Sequence, residues 1–259
     1  MTKMTQNKVP NPLRFVCIIP ARYNSTRFPG KPLVDIGGKT MIQRVYDQVS
    51  KVISDVYVAT DDIRIFDVVI AFGGKAIMTS DKHKSGTDRC YEAFSKLAEW
   101  FDVIVNVQGD EPFIQPEQIS EIRTCFEDQD TQIATLAKRV TESDGFNCLS
   151  NPNNPKLVVN SRNEAMYFSR SVIPFKRGSE TENWISQHTY LKHVGIYAYR
   201  ADILSELTVL EQSPLEIAES LEQLRWLENG YRIKVGYTNV ETFGIDTPDD
   251  LEKVKELLK

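Results

Sequence analysis

Five short apolar runs in the first 140 residues set the limits on what this chain can fold into. Residues 15–19 (F-V-C-I-I), 55–59 (D-V-Y-V-A), 75–78, 103–107 (V-I-V-N-V) and 133–137 each read as a strand buried on both faces. Between them lie segments with helical spacing. Residues 41–52 place Met41, Ile42, Val45, Tyr46, Val49 and Val52 on one stripe, and residues 63–72, 87–100 and 116–126 follow suit. Thr60-Asp61-Asp62 can cap the second of these helices, Gly73-Gly74 can end it, and Pro116 stands where a first helical turn tolerates proline. Repeated strand–helix units at this spacing predict an α/β fold, a mostly parallel central sheet with helices on both faces in a Rossmann-like layout.

The second half is less regular. Asn151-Pro152-Asn153-Asn154-Pro155 marks a loop, residues 156–160 and 165–169 read as paired strands, and residues 174–184 as a polar mobile loop. Residues 194–199 and 233–237 read as strands, and residues 215–228 and 248–258 as helices. The expected organisation is one domain over residues 1–259, with residues 1–13 an extension and about 140–200 an inserted subregion.

A net charge of -5 argues against non-specific nucleic-acid binding, so anion recognition has to come from a local cluster of cations. The four cysteines are scattered without ligand spacing; Cys17 and Cys125 read as buried free thiols, and a structural zinc site is not expected. No apolar stretch approaches the ~20 residues of a membrane span, and the first dozen residues lack the apolar core of a signal peptide. A cytoplasmic protein is the expectation.

In open α/β sheets ligands lie beyond the carboxyl ends of the strands. Four polar clusters fall at such ends: residues 20–31, 79–89, 108–112 and 244–250. The first, P-A-R-Y-N-S-T-R-F-P-G-K, carries Arg22, Arg27, Lys31, Ser25, Thr26 and Gly30, which suits a polyphosphate, yet it is neither G-x-x-x-x-G-K-[ST] nor G-x-G-x-x-G. Asp110 follows a buried strand with Gly109 beside it to admit a ligand, and is read as a metal ligand, with Glu111 behind it. Asp246 precedes a helix start in which Thr247, Pro248 and Asp250 form the cap, and is left over as a candidate second ligand. Lys84-Ser85-Gly86-Thr87-Asp88-Arg89 either caps a helix or receives a ligand's phosphate, ribose or carbonyl; the residues alone leave both open.

Seven motifs occur in order: P-A-R-Y-N-S-T-R-F-P-G-K-P, M-T-S with S-G-T-D-R, V-N-V-Q-G-D-E-P, Y-F-S-R, H-V-G-I-Y-A-Y, L-E-Q-L-R and D-T-P-D-D-L. Together they resemble the 3-deoxy-D-manno-octulosonate (Kdo) cytidylyltransferases from about Phe15 onward. The resemblance implies transfer of CMP from CTP to Kdo with release of pyrophosphate, Mg²⁺ as cofactor, a role in lipopolysaccharide synthesis, and a homodimer formed through the inserted subregion. It implies that Arg22, Ser25, Thr26, Arg27 and Lys31 hold the triphosphate, with Lys31, Arg27 and Asp110 catalytic. Ser85, Gly86 and Arg89 would position the cytidine, and Asp110 and Asp246 the metal. Gln108, Arg170, His193, Tyr197, Glu222 and Gln223 would meet the sugar, Arg170 taking its carboxylate. An amino-substituted Kdo or a sialic acid is the alternative substrate.

Overall fold

The computed structural model describes residues 12–24, 28–241, 244–245 and 250–252. Eleven strands follow in chain order: β1 (Phe15–Ala21), β2 (Asp35–Ile36), β3 (Lys39–Thr40), β4 (Val56–Thr60), β5 (Ala76–Met78), β6 (Val103–Asn106), β7 (Ile133–Arg139), β8 (Lys156–Val159), β9 (Ala165–Ser169), β10 (Leu191–Arg200) and β11 (Ile233–Thr238). The helices are α1 (Met41–Ser50), α2 (Ile63–Ala71), α3 (Gly86–Ser95), α4 (Pro116–Thr124), α5 (Gly145–Ser150), α6 (Trp184–Gln187), α7 (Ala201–Leu207), α8 (Pro214–Glu219) and α9 (Gln223–Glu228).

The main sheet runs β11-β7-β10-β6-β1-β4-β5. Only β10 is antiparallel to its neighbours, so the carboxyl ends of the other six strands share one edge. Strand alternation splits the core into two layers. Val16 and Ile18 face one layer with Cys90, Leu204 and Leu224 of α3, α7 and α9. Cys17 and Ile19 face the other with Ile42, Ile65 and Ile119 of α1, α2 and α4. Local chemistry sets the helix starts: Asp62 Oδ1 accepts from Arg64 N at 2.9 Å, and Pro116 occupies the first turn of α4. Cys17, Cys90 and Cys125 are buried free thiols, and Cys148 is half-buried. No helix among the described residues is long and apolar enough to cross a membrane.

Three features differ from the sequence expectation. Residues 140–200 are not all elaboration, because β10 runs between β6 and β7 through the middle of the sheet; β8 and β9 form an arm attached at its start, where Leu191 pairs with Leu157. The segment read as one helix over 215–228 is two, broken at Ser220 with φ 51°. The loop over 174–184 ends in order: Trp184 is buried, stacks on Tyr190 and donates from Nε1 to Ser179 O at 3.0 Å.

Candidate active site

One cleft at the carboxyl edge gathers Pro20 at the end of β1, Arg22 and Lys31 from the loop after it, His83, Lys84, Ser85, Gly86 and Arg89 around the start of α3, and Gln108 to Asp110 after β6. The first loop turns at Gly30, whose φ of 74° favours glycine; its amide donates to Tyr23 O at 2.9 Å, and a Cβ there would press on the Tyr23 ring at 3.2 Å. Arg64 lies over that ring, 3.3 Å from its centroid. The turn sends the Lys31 side chain inward, leaving the residue 8% exposed, with Nζ 2.6 Å from Asp110 Oδ2. Ser25, Thr26 and Arg27 lie outside the described residues.

The loop after β6 adds a packing constraint to one expectation. A Cβ on Gly109 would fall 2.9 Å from Pro20 O and 3.3 Å from Ile42 Cδ1. Glycine is required there for the close approach of two chain segments, a structural duty beside its place in the cleft wall. Neither Asp110 nor Glu111 caps α4, whose cap is Gln115 paired with Gln118, so Asp110 is left at the cleft. Ile245 N donates to Asp110 O at 3.3 Å, so the residue before Asp246 in sequence is paired with the Asp110 backbone. Asp246 itself, and Thr247 to Asp249, lie outside the described residues. A half-exposed carboxylate at a strand end, with a second aspartate next in sequence to its backbone partner, is a donor set of hard oxygens that fits Mg²⁺, which takes one or two carboxylates plus phosphate oxygens.

At the third wall the helix-cap reading holds, and the capping segment also faces the cleft. Ser85 Oγ accepts from Asp88 N at 3.1 Å and caps α3, yet Ser85 and Gly86 also line the cleft. Gly86 packs closely, with room for a Cβ only at 3.3 Å from Pro20 Cγ and 3.4 Å from Gln108 Nε2. Arg89, expected at the cytidine, is 4% exposed and donates to Thr79 Oγ1 at 2.6 Å and Asp61 Oδ2 at 3.1 Å. It braces the wall. His83 and Lys84 line the cleft although no role was read for them; the signal was present as D-K-H-K between a strand and a helix, the same order as in the first loop.

The residues expected at the sugar are not gathered into one pocket. Gln108 lines the cleft and donates to Asn106 Oδ1 at 3.1 Å. Glu222 stands behind the cleft, where its Oε2 accepts from Thr87 Oγ1 at 2.8 Å and burial pushes its carboxyl upward. The Gln223 side chain is buried beside it. At the β10 bulge between Val194 and Tyr197 the rings of His193 and Tyr197 meet at 5.3 Å; His193 Nε2 sits 3.0 Å from Thr135 Oγ1, and burial pushes the imidazole down to about 4. Tyr197 packs edge-on against Trp226. His193 lines a separate polar cavity with Lys138, Lys192 and Glu241. Arg170 is engaged elsewhere: its guanidinium donates to Glu219 O at 2.6 Å, Pro152 O at 2.9 Å and Ser220 O at 3.2 Å. Two of its five N–H groups are left for a carboxylate.

A cytidylyltransferase family profile matches residues 16–233. The 3-deoxy-manno-octulosonate cytidylyltransferase of Parabacteroides distasonis is 64% identical over 247 residues, covering 95% of this chain and 98% of that protein. The protein of the same name from Porphyromonas gingivalis is 52% identical, covering 94% and 96%. A solved structure of CMP:2-keto-3-deoxy-manno-octonic acid synthetase complexed with CTP superposes with a TM-score of 0.85 at 45% identity, over 95% of this chain and 98% of that one. A cytidylyltransferase from Leptospira borgpetersenii, 17% identical with a TM-score of 0.60, shares the fold alone.

Proposed function

The chain belongs to the 3-deoxy-manno-octulosonate cytidylyltransferases, and from that premise we propose how its residues divide the work. It is a nucleotidyltransferase that joins CMP from CTP to Kdo and releases pyrophosphate. A hydroxyl oxygen of the sugar attacks the α-phosphorus in line, and the bond from that phosphorus to the bridging oxygen of the β-phosphate breaks. The observation that carries this reading is the 2.6 Å contact between Lys31 and Asp110, which joins the cationic loop after β1 to the carboxylate after β6.

Lys31 and Arg22, with Arg27, hold the triphosphate and stabilise charge as pyrophosphate leaves. Ser85 and Gly86 present a helix start to the nucleotide, and Gln108 stands between nucleotide and sugar. Asp110 and Asp246 would hold Mg²⁺. Bound there, the ion draws charge off the phosphate oxygens. Arg170, His193, Tyr197, Glu222 and Gln223 shape the sugar side; the uncharged His193 and the upward-shifted Glu222 suit hydroxyl groups better than a carboxylate. The enzyme acts in the cytoplasm as a homodimer and supplies the activated sugar for lipopolysaccharide.

The test is a comparison of kcat/KM for Kdo, its 8-amino analogue and N-acetylneuraminate, each with CTP. Kdo should be used best; a clear preference for either rival would reassign the sugar.

A further inference from the structure

Among the described residues four permanent cations line the cleft: Arg22, Lys31, Lys84 and Arg89. Lys31 is engaged by Asp110, and Arg89 by Thr79 and Asp61. Among the described residues Arg22 and Lys84 make no hydrogen bond or ion pair. Arg22 belongs to the loop already given to the triphosphate. Lys84 stands on another wall, next to the residue that caps α3, and its charge has no assigned use.

The loop that carries it is tied down on both sides of Lys84. Glu92 of α3 does most of this. Its Oε2 accepts from Ser80 N at 2.9 Å and meets His83 Nε2, while its Oε1 accepts from Lys96 Nζ at 2.6 Å. Lys96 Nζ also donates to Met78 O at 2.7 Å. Thr79 is held by Arg89, and Ser85 by its own cap. Burial works against the Glu92 charge, but Lys96, the Ser80 amide and His83 hold its carboxyl down to about 2. A loop fixed at Thr79, Ser80, His83 and Ser85 leaves one long cationic side chain at the cleft. Ordering the backbone in advance reduces the entropy that ligand binding must supply.

We propose that Lys84 is a further phosphate-binding residue of the nucleotide site, a second cationic arm apart from the loop after β1, and that Glu92 is the residue that positions it. This rests on the reading that the cleft takes a nucleoside triphosphate. An exposed ammonium recognises phosphate as a point charge, so its contribution should scale with ligand charge and weaken in salt.

The experiment is calorimetric titration of the full chain and of Lys84→Ala, Lys84→Arg and Glu92→Ala with CTP, CDP, CMP and cytidine at two salt concentrations. Lys84→Ala should weaken CTP binding about tenfold, with a smaller loss for CMP, none for cytidine and a shallower salt dependence. Lys84→Arg should bind CTP within about twofold of the unaltered chain. Glu92→Ala should weaken CTP less than Lys84→Ala does, and adding it to Lys84→Ala should cost nothing more. Unchanged CTP binding by Lys84→Ala, or an equal loss for all four ligands, would overturn the assignment of Lys84. Additive losses in the double variant would overturn the role given to Glu92. If the unaltered chain itself bound no CTP, the function reading would fall first, and that result is distinct from the others.

Discussion

Lys31 and Asp110 meet at the wall of an open cleft, whereas His193, Tyr197 and Glu222 stand inside or behind the core layer that packs α3 and α9 on the sheet. The two halves of the site are held by different forces. The proposed nucleotide half depends on charges at strand ends and on Gly109, which lets two chain segments approach. The proposed sugar half depends on aromatic packing, a strand bulge and hydrogen bonds that are already made. A charged, solvated half tolerates loss of one side chain without losing the fold. In a packed half, function and stability are lost together.

The largest expected effect is at the centre of the charged half. Asp110→Ala should lower kcat by about 10³ or more while circular dichroism and the melting temperature stay close to those of the unaltered enzyme; near-normal turnover would break the assignment. The packed half should answer to pH instead. Desolvation pushes the His193 imidazole from the ordinary histidine value of 6.5 down to about 4 in the folded chain. A lowered histidine contributes stability that is complete above pH 6.5 and lost as pH falls toward 4. Urea unfolding should therefore show about 3 kcal/mol of acid-linked destabilisation between pH 7 and pH 4 that His193→Gln lacks. Equal slopes in both proteins would contradict the lowered imidazole.

Gly109→Ala tests the close approach in the charged half, since its Cβ would stand 2.9 Å from Pro20 O. Strain of about 2 kcal/mol should lower Tm by about 5 °C and turnover more than tenfold; an unchanged melt would show that the loop yields freely. The smallest effect should come from Arg22→Ala, which should raise KM for CTP about fivefold at low salt and less at high salt, with little change in Tm. A salt-independent change would place Arg22 outside the phosphate field.

The same division governs how much could be read from the sequence. Strands ended by polar clusters pointed directly to the cleft, because a carboxylate or cation after a buried run has few structural duties to hide behind. Arg22, Lys31, Ser85, Gly86, Gln108 and Asp110 were all found this way and line one surface. Apart from Gln108, the residues proposed for the sugar rest on the resemblance alone: a half-buried histidine and a buried tyrosine on a strand look like any others. The break at Ser220 was also invisible, since P-L-E-I-A-E-S-L-E-Q-L-R contains no internal glycine or proline. Its cause is tertiary. The carbonyls of Glu219 and Ser220, released where α8 ends, accept from Arg170, which is fifty residues away. The bracing of Arg89 is hidden for a related reason: it lines the cleft as expected, but its partners Thr79 and Asp61 lie ten and twenty-eight residues away.

The two halves should act as a single enzyme, and pyrophosphate release across CTP, UTP, ATP and GTP, each with Kdo and with or without Mg²⁺, tests that. Release with CTP and Kdo, dependent on Mg²⁺ and on both substrates, is expected. Release that is absent with CTP, or that proceeds equally well without Kdo, would contradict it.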